Sequence, residues 1–317
     1  MKIVVLDGHP LNPGDLDWAP LAELGELTVH ERTSPEQIES RATQAEALLT
    51  VRAALNRETI RHLAKLRFLG VLSSDASTVN LEAARKRGVH VATLPGVDAE
   101  SVAQHTFSLL LELCSACGHH AHAVRNGRWT RSPDFTFRFQ PIRELHGLTL
   151  GLIGCGRIGS AVARIARGFG MTVLVNDPQA SAGIPEGTKP ATLDELLAQS
   201  DVVSLHCALT PQTERIINPA TLGRMKPDAF LLNTASGALL DEAAVADALR
   251  NRLLGGAGLD VLTQEPPSAR HPLLQAPRCV ITPRLGWATR ETRARIIREM
   301  ATQLRLFTVS AGARPAS

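Results

Sequence analysis

Gly154-Cys155-Gly156-Arg157-Ile158-Gly159 is the stretch on which the fold assignment turns. It follows an apolar run, Leu148–Ile153, that reads as a strand. It opens a segment whose apolar residues Ile158, Val162, Ile165 and Phe169 have helical spacing. A second strand, Thr172–Val175, then leads into Asn176-Asp177-Pro178. In such a strand–turn–helix–strand unit each glycine has its own task. Gly154 allows the tight turn, Gly156 lets a pyrophosphate approach the backbone, and Gly159 lets the helix pack closely on the strand. The helix start, with Arg157 and Ile158 in its first turn, offers unpaired N–H groups and partial positive charge to phosphate oxygens. Asp177 lies eighteen residues past Gly159, where a carboxylate accepts ribose hydroxyls and repels a 2′-phosphate. The motif predicts a Rossmann-like domain that binds NAD rather than NADP.

The same alternation extends in both directions. Further strands are expected at Val202–His206, Phe230–Asn233, Leu254–Leu259 and Val280–Thr282. Upstream, Ile3–Leu6, Thr28–His30, Ala47–Val51, Leu69–Leu72 and His90–Thr93 read as strands, with a helix near Leu81–Arg87. Strands separated by helices imply βαβ units and parallel sheets. The fold class is therefore α/β, with two Rossmann-like or flavodoxin-like domains, each a doubly wound parallel sheet. A long helix from about Asp98 to Val124 is apolar on several faces, which predicts burial between domains. The last helix, Glu291–Phe307, is expected to pack back on the first half of the chain.

Composition narrows the function. The chain has 317 residues and no tyrosine, which excludes every mechanism built on a tyrosyl acid, base or nucleophile. Lys+Arg 34 against Asp+Glu 31 gives a formal charge of +3 with the signs interspersed, so no nucleic-acid partner is expected. Arg290, Arg293, Arg295, Arg298 and Arg305 read as the solvated face of a helix. Five cysteines, mostly inside apolar runs, suit reduced thiols in a cytoplasm. No apolar run reaches the roughly 18 residues of a membrane span. Cys114-x-x-Cys117 with His119, His120 and His122 could in principle hold zinc, but it ends an apolar helix and reads as packing; no metal is expected.

Further segments resemble the D-2-hydroxyacid dehydrogenases, in particular the glycerate dehydrogenase (hydroxypyruvate reductase) branch. They are Ser101–Thr106, Glu144–Gly147, Asp201–Thr210, Leu232–Gly237, Asp260–Pro266 and Thr282–Thr289, in order across nearly the whole chain. The resemblance implies an interleaved architecture: a substrate domain from residues 1–98 plus 288–317, with an NAD domain over 99–287 inserted in it. It also implies a homodimer held largely through the NAD domain. His206, Thr213, Thr234 and Asp260 would join the glycine turn in lining the cofactor, and His105 would pack at the domain junction. In this family an Arg grips the substrate carboxylate, a His supplies the proton and a Glu holds that His charged.

Here the family's Asn-Thr-Ala-Arg-Gly reads Asn-Thr-Ala-Ser-Gly, placing Ser236 at the Arg position. Thr-Pro-His reads Thr-Pro-Arg, placing Arg284 at the His position, while Glu265 is retained. The substrate loop reads Ser74-Asp75-Ala76-Ser77 where the branch has Thr-Gly-Tyr-Asn. A positioned general acid contributes roughly 10²–10⁴ in rate, and a guanidinium cannot replace it near neutrality. Asp75 would set a negative charge near the place meant for a carboxylate. Two readings follow. In one, Arg284 takes over the anion grip with Glu265 as its buttress, and the proton comes from water, Glu265 or the substrate itself. In the other, Arg284 and Glu265 form a closed pair, and the chain is an NAD(H)-binding sensor or scaffold. The first is the principal expectation: an atypical NAD-dependent oxidoreductase acting on the CH–OH group of a small hydroxy acid or a related carbonyl compound.

Overall fold

Short strands with apolar residues on both faces organise the whole chain. The computed structural model describes residues 1–178 and 183–312. The chain divides into two compact units: Met1–Asp98 with the segment from Trp287 onward, and Ala99–Gly286. Residues 313–317, the polar tail, lie outside the described residues.

The discontinuous unit is built on β1 (Lys2–Val5), β2 (Glu26–Val29), β3 (Ala47–Thr50), β4 (Phe68–Val71) and β5 (His90–Ala92), in the order β2-β1-β3-β4-β5. All its pairings are parallel. Every residue of β3 and β4 is buried, which is why both read as continuous apolar runs rather than alternating ones. The final helix, Arg290–Gly312, covers one face: Ile296, Ile297, Met300 and Leu304 pack with Ile3, Leu49 and Phe68. Gly70 marks the closest approach, since a Cβ there would lie 2.5 Å from Met300 Sδ. Ile38, Ile60, Leu63, Leu69 and Val71 belong to the core on the other face.

The basic stretch of that helix corrects the expectation of a purely solvated face. Arg290, Arg298 and Arg305 are exposed, but Arg293 is buried. Its terminal nitrogens reach Asp15 Oδ1 at 2.8 Å and Oδ2 at 2.7 Å, and it also donates to the carbonyls of Leu11 and Ala288. Arg295 donates to the carbonyl of Val97 at 3.1 Å. These side chains tie the end of the chain to its beginning.

The continuous unit carries β6 (Thr149–Ile153), β7 (Thr172–Asn176), β8 (Lys189–Pro190), β9 (Val202–Leu205), β10 (Phe230–Asn233), β11 (Gly256–Leu259) and β12 (Cys279–Ile281). The order is β12-β11-β10-β9-β6-β7-β8, all parallel, so the winding reverses between β6 and β9. β8 was not anticipated: it has two exposed residues and no apolar signal. The long helix is two helices, Ala99–Ser115 and Cys117–Arg125, parted by Ala116 at φ 47°. Glu112 caps the second through its carboxylate, which accepts from Gly118 N at 3.2 Å. The buried residues Phe107, Leu110, Leu113 and Cys114 belong to the core of this unit, together with Leu150, Leu152 and Val173. Burial pushes the Cys114 thiol up to about 11, whereas Cys117 is exposed, and no group of three metal-ligating side chains occurs among the described residues. No helix among them is long and apolar enough to cross a membrane.

The Arg293–Asp15 tie yields a stability prediction. Hydrogen bonds from Arg293 hold the Asp15 carboxyl below its ordinary 3.8. Its contribution is therefore complete above 3.8 and is lost as pH falls through the lower folded value. Arg293→Ala, which also leaves the Leu11 and Ala288 carbonyls without their donor, should destabilise the protein by about 1–3 kcal/mol at neutral pH. In thermal melts the gap from wild type should be flat near neutrality and narrow in acid. A gap independent of pH down to acid unfolding would contradict the role given to Asp15.

Candidate active site

Six turns leave the same edge of the seven-stranded sheet, because the strands are parallel and the turns follow their carboxyl ends. Gly154 follows β6, Asp177 follows β7, His206 follows β9, and Ser236, Glu265 and Arg284 come after β10, β11 and β12. In an open α/β sheet this edge, at the reversal of winding, is where a ligand is received.

The glycine turn is explained by its contacts. Gly154 has φ +88°, and a Cβ there would meet Cys207 N at 2.5 Å. Gly159 is equally constrained, with a Cβ falling 2.6 Å from Gly154 O. Gly156 differs: a Cβ would meet nothing, so the space before the helix Arg157–Gly168 is left open. Arg157 is exposed in the first turn and Ile158 half-buried. Asp177 Oδ2 accepts from Cys155 N at 2.7 Å, which fixes the carboxylate beside the turn. A cavity of about 460 Å³ adjoins it, lined by Val175, Asp177, Ile184, Ala191 and Thr192 among others. An open space at Gly156, a helix N-terminus, a fixed carboxylate and a partly apolar recess fit a dinucleotide.

Along the edge, His206 Nε2 lies 2.8 Å from Ser204 Oγ, while Nδ1 is closed off from solvent with no partner among the described residues. Burial pushes this imidazole down to about 4, so it is uncharged at neutral pH. Thr213 Oγ1 donates to the carbonyl of Ala208 at 2.7 Å and closes the turn that follows. Thr234 is buried, its Oγ1 3.2 Å from that of Thr106.

The other end is organised by Asp260. This buried carboxylate accepts from Thr282 Oγ1 at 2.6 Å, Leu285 N at 2.7 Å and Gly286 N at 2.9 Å, and His105 Nε2 stands 3.1 Å away. Burial opposes its charge, but the bonds from His105, Thr282, Gly286 and Leu285 outweigh that and hold the carboxyl below its ordinary range. Expected at the cofactor, Asp260 uses both oxygens to shape the turn bearing Arg284. His105, expected at a domain junction, serves the same turn, since its Nε2 is also 2.9 Å from Thr282 Oγ1. Arg284 has φ +55°, uncommon for a residue with a side chain, and its N–H lies 3.0 Å from both Asp260 O and Thr282 O.

Arg284 Nε is 2.5 Å from Glu265 Oε2. The N–H is not aimed at that oxygen, so the contact is electrostatic rather than a well-formed hydrogen bond. Glu265 Oε1 accepts from Leu262 N at 3.0 Å. Among the described residues, neither terminal nitrogen of Arg284 has a hydrogen-bond partner. Ser236 stands close by through its backbone, because a Cβ on the next residue, Gly237, would lie 2.1 Å from Leu262 C and Thr263 N. Its hydroxyl makes no hydrogen bond to a described residue.

Sequence reasoning missed Glu242 and His271. Glu242 Oε1 accepts from Thr263 N at 2.8 Å, and Oε2 lies 3.1 Å from His271 Nε2. Two successive amides of the Glu265 loop are thus held by two different glutamates. Twenty-nine residues separate Glu242 from His271, and no motif joins them. In the other unit, Ser74 Oγ donates to Asp98 Oδ2 at 2.6 Å, Asp75 Oδ1 accepts from Ser77 N at 2.9 Å, and Ala76 packs on the core beneath.

The open cradle gives a direct test. Gly156→Ala should leave the melting temperature unchanged, because its Cβ meets no protein atom. Fluorescence titration should show NADH binding weakened by about tenfold or more, a difference of about 1.4 kcal/mol. Unaltered NADH affinity would remove the phosphates from this turn.

Residues 107–286 match the family described as D-isomer specific 2-hydroxyacid dehydrogenase, NAD binding domain. A hydroxypyruvate reductase of Blautia hydrogenotrophica is 42% identical over 301 residues, 94% of each chain. A glycerate dehydrogenase of Methylorubrum extorquens is 34% identical over 96% of each chain. Among solved structures, an acyclic imino acid reductase in complex with NADPH and D-Arg superposes with a TM-score of 0.84 at 27% identity, covering 98% of each chain. The chain belongs to the D-isomer specific 2-hydroxyacid dehydrogenase family, and its continuous unit is that family's NAD-binding domain.

Proposed function

We propose that the chain is an NAD-dependent oxidoreductase of small carboxylates with a relocated anion grip, in which Arg284 binds the substrate carboxylate. The observation that carries this reading is the way Glu265 meets Arg284. The contact is made at Nε, so the outer edge of the guanidinium, with its two terminal nitrogens, is still available for a bidentate carboxylate. The sensor reading expects the same ion pair; what favours the grip is that the terminal nitrogens have no hydrogen-bond partner among the described residues. The Asp260 network holds the Arg284 backbone, and Leu262 N holds Glu265, so both charges are fixed before a ligand arrives. Ser236 supplies an uncharged hydroxyl beside them.

When bound, NADH supplies a hydride to the carbon next to the gripped carboxylate. Gly154, Gly156, Gly159 and the first turn at Arg157 and Ile158 hold its phosphates, and Asp177 holds the ribose. His206, Thr213 and Thr234 line the sheet edge between, while Asp260 acts on the site through the turn it shapes. Ser74, Asp75 and Ala76 are proposed as substrate-binding residues. The named relatives widen the candidate bond from a 2-oxo C=O, as in hydroxypyruvate, to the C=N of an imino acid. A homodimer is supported by Trp129, Phe135 and Ile142, large apolar side chains exposed on the NAD-binding unit. A cytoplasmic setting is supported by five free thiols.

Oxamate, an inert 2-oxo carboxylate analogue, tests the grip. It should quench the fluorescence of the NADH complex, and Arg284→Gln should weaken oxamate by about ten- to a hundredfold, the value of one charged hydrogen-bond pair, without altering NADH affinity. No oxamate binding to the wild-type NADH complex would favour the sensor reading. Equal affinity in the variant would move the anion elsewhere.

A further inference from the structure

Resting on that reading, we propose that His271 is a positioning residue for the anion grip. It acts on Glu265 and Arg284 through Glu242 and the backbone of residues 262–265. Two carboxylate–cation pairs meet on this short stretch of chain. In the first, Glu265 Oε1 accepts from Leu262 N at 3.0 Å, and Oε2 lies 2.5 Å from Arg284 Nε. In the second, Glu242 Oε1 accepts from Thr263 N at 2.8 Å, and Oε2 lies 3.1 Å from His271 Nε2. The two amides are successive, so a shift at one carboxylate is passed to the other through a single peptide unit.

The second pair stands on fixed parts. Glu242 opens the helix Glu242–Arg250, whose N-terminus favours a negative charge. His271 precedes the short turn Pro272–Gln275, which Leu273 anchors in the core. Arg250 ties that turn to the helix by donating to the carbonyl of Pro272 at 3.1 Å. Both side chains are close to buried, with 14% of Glu242 and 11% of His271 exposed. A carboxylate so placed needs its oxygens matched. Ionised, it only accepts, so His271 Nε2 carries the proton between them. Nδ1 is closed off from solvent, and among the described residues the ring's hydrogen bonding goes to Glu242 alone.

The effect reaches substrate through the rotation of one side chain. The Asp260 turn fixes the Arg284 backbone but leaves the side chain its rotations. Contact with Glu265 at Nε selects the rotation in which the terminal nitrogens keep no partner among the described residues. Without the His271 donor, Glu242 Oε2 is unmatched, the carboxylate turns toward water, and Thr263 N loses its fixed acceptor. Residues 262–265 then loosen and Glu265 with them. The guanidinium must be ordered by the ligand rather than ahead of it.

Calorimetry with oxamate on the NADH complex tests this. His271→Leu should weaken oxamate about three- to tenfold, the cost of ordering one long side chain on binding, with NADH affinity unchanged. His271→Gln, whose amide nitrogen can stand where Nε2 does, should bind oxamate as the wild type does. His271→Asn, whose amide falls short of Glu242, should behave like the leucine variant. If His271→Leu does not fold, the comparison of Gln with Asn decides. A cycle with Glu265→Gln separates positioning from a merely structural role: in that background His271→Leu should cost oxamate nothing more, whereas independent effects multiply. Wild-type oxamate affinity in the Leu or Asn variant, no rescue by Gln, a parallel loss of NADH, or multiplied effects would overturn the positioning role and leave the Arg284 grip standing. No oxamate binding to the wild-type NADH complex would instead remove the reading beneath it.

Discussion

The buried carboxylate of Asp260 accepts from one hydroxyl and two successive main-chain amides, and the reaction end of the site depends on it. A carboxylate removed from water is costly unless its lone pairs are matched, so the turn 282–286 must wrap around it. That wrapping sets Arg284 in a left-handed conformation that its side chain would not otherwise favour. The same residue also lends its carbonyl to the Arg284 N–H. Orientation of the guanidinium is thus a property of the turn, and Glu265 only has to meet it.

The two ends of the sheet edge differ in how much change they tolerate. At the glycine turn the constraint is steric: backbone atoms of Cys207 and of Gly154 itself occupy the positions that side chains at Gly154 and Gly159 would need. Any larger residue there disturbs the strand crossover between β6 and β9. Ser236 and Arg284 both lie in turns beyond the strand ends, so the residue type there can change while the strands stay in register. Chemistry at one end of the edge can therefore diverge while cofactor binding at the other is conserved by packing.

Local patterns were legible in the sequence, and contacts between distant residues were not. The six-residue glycine motif, the buried runs of β3, β4 and β10 and the charge change at Arg284 each lie within a few residues of chain. Asp15 and Arg293 meet across 278 residues, so the arginine read as one more solvated charge of its helix. The break at Ala116 gave no warning, because alanine is the best helix former and only its conformation shows the interruption. Glu265 was found by its place before Pro266. That it touches Arg284 by Nε, leaving the other nitrogens outward, is a matter of side-chain rotation that spacing does not encode.

The first sheet is completed by a helix that lies at the far end of the chain. Ile296, Ile297, Met300 and Leu304 fill the core over Ile3, Leu49 and Phe68, and Gly70 leaves room for nothing else. During synthesis, β1 to β5 emerge long before this cover exists. The NAD-binding unit, continuous from Ala99 to Gly286, can close its own core in the interval. Until the last helix arrives, the early sheet holds an uncovered apolar face, the kind of surface that chaperones bind and that self-associates when crowded. A ribosome stalled before residue 290 would therefore release a finished cofactor domain attached to an unfinished and adhesive one.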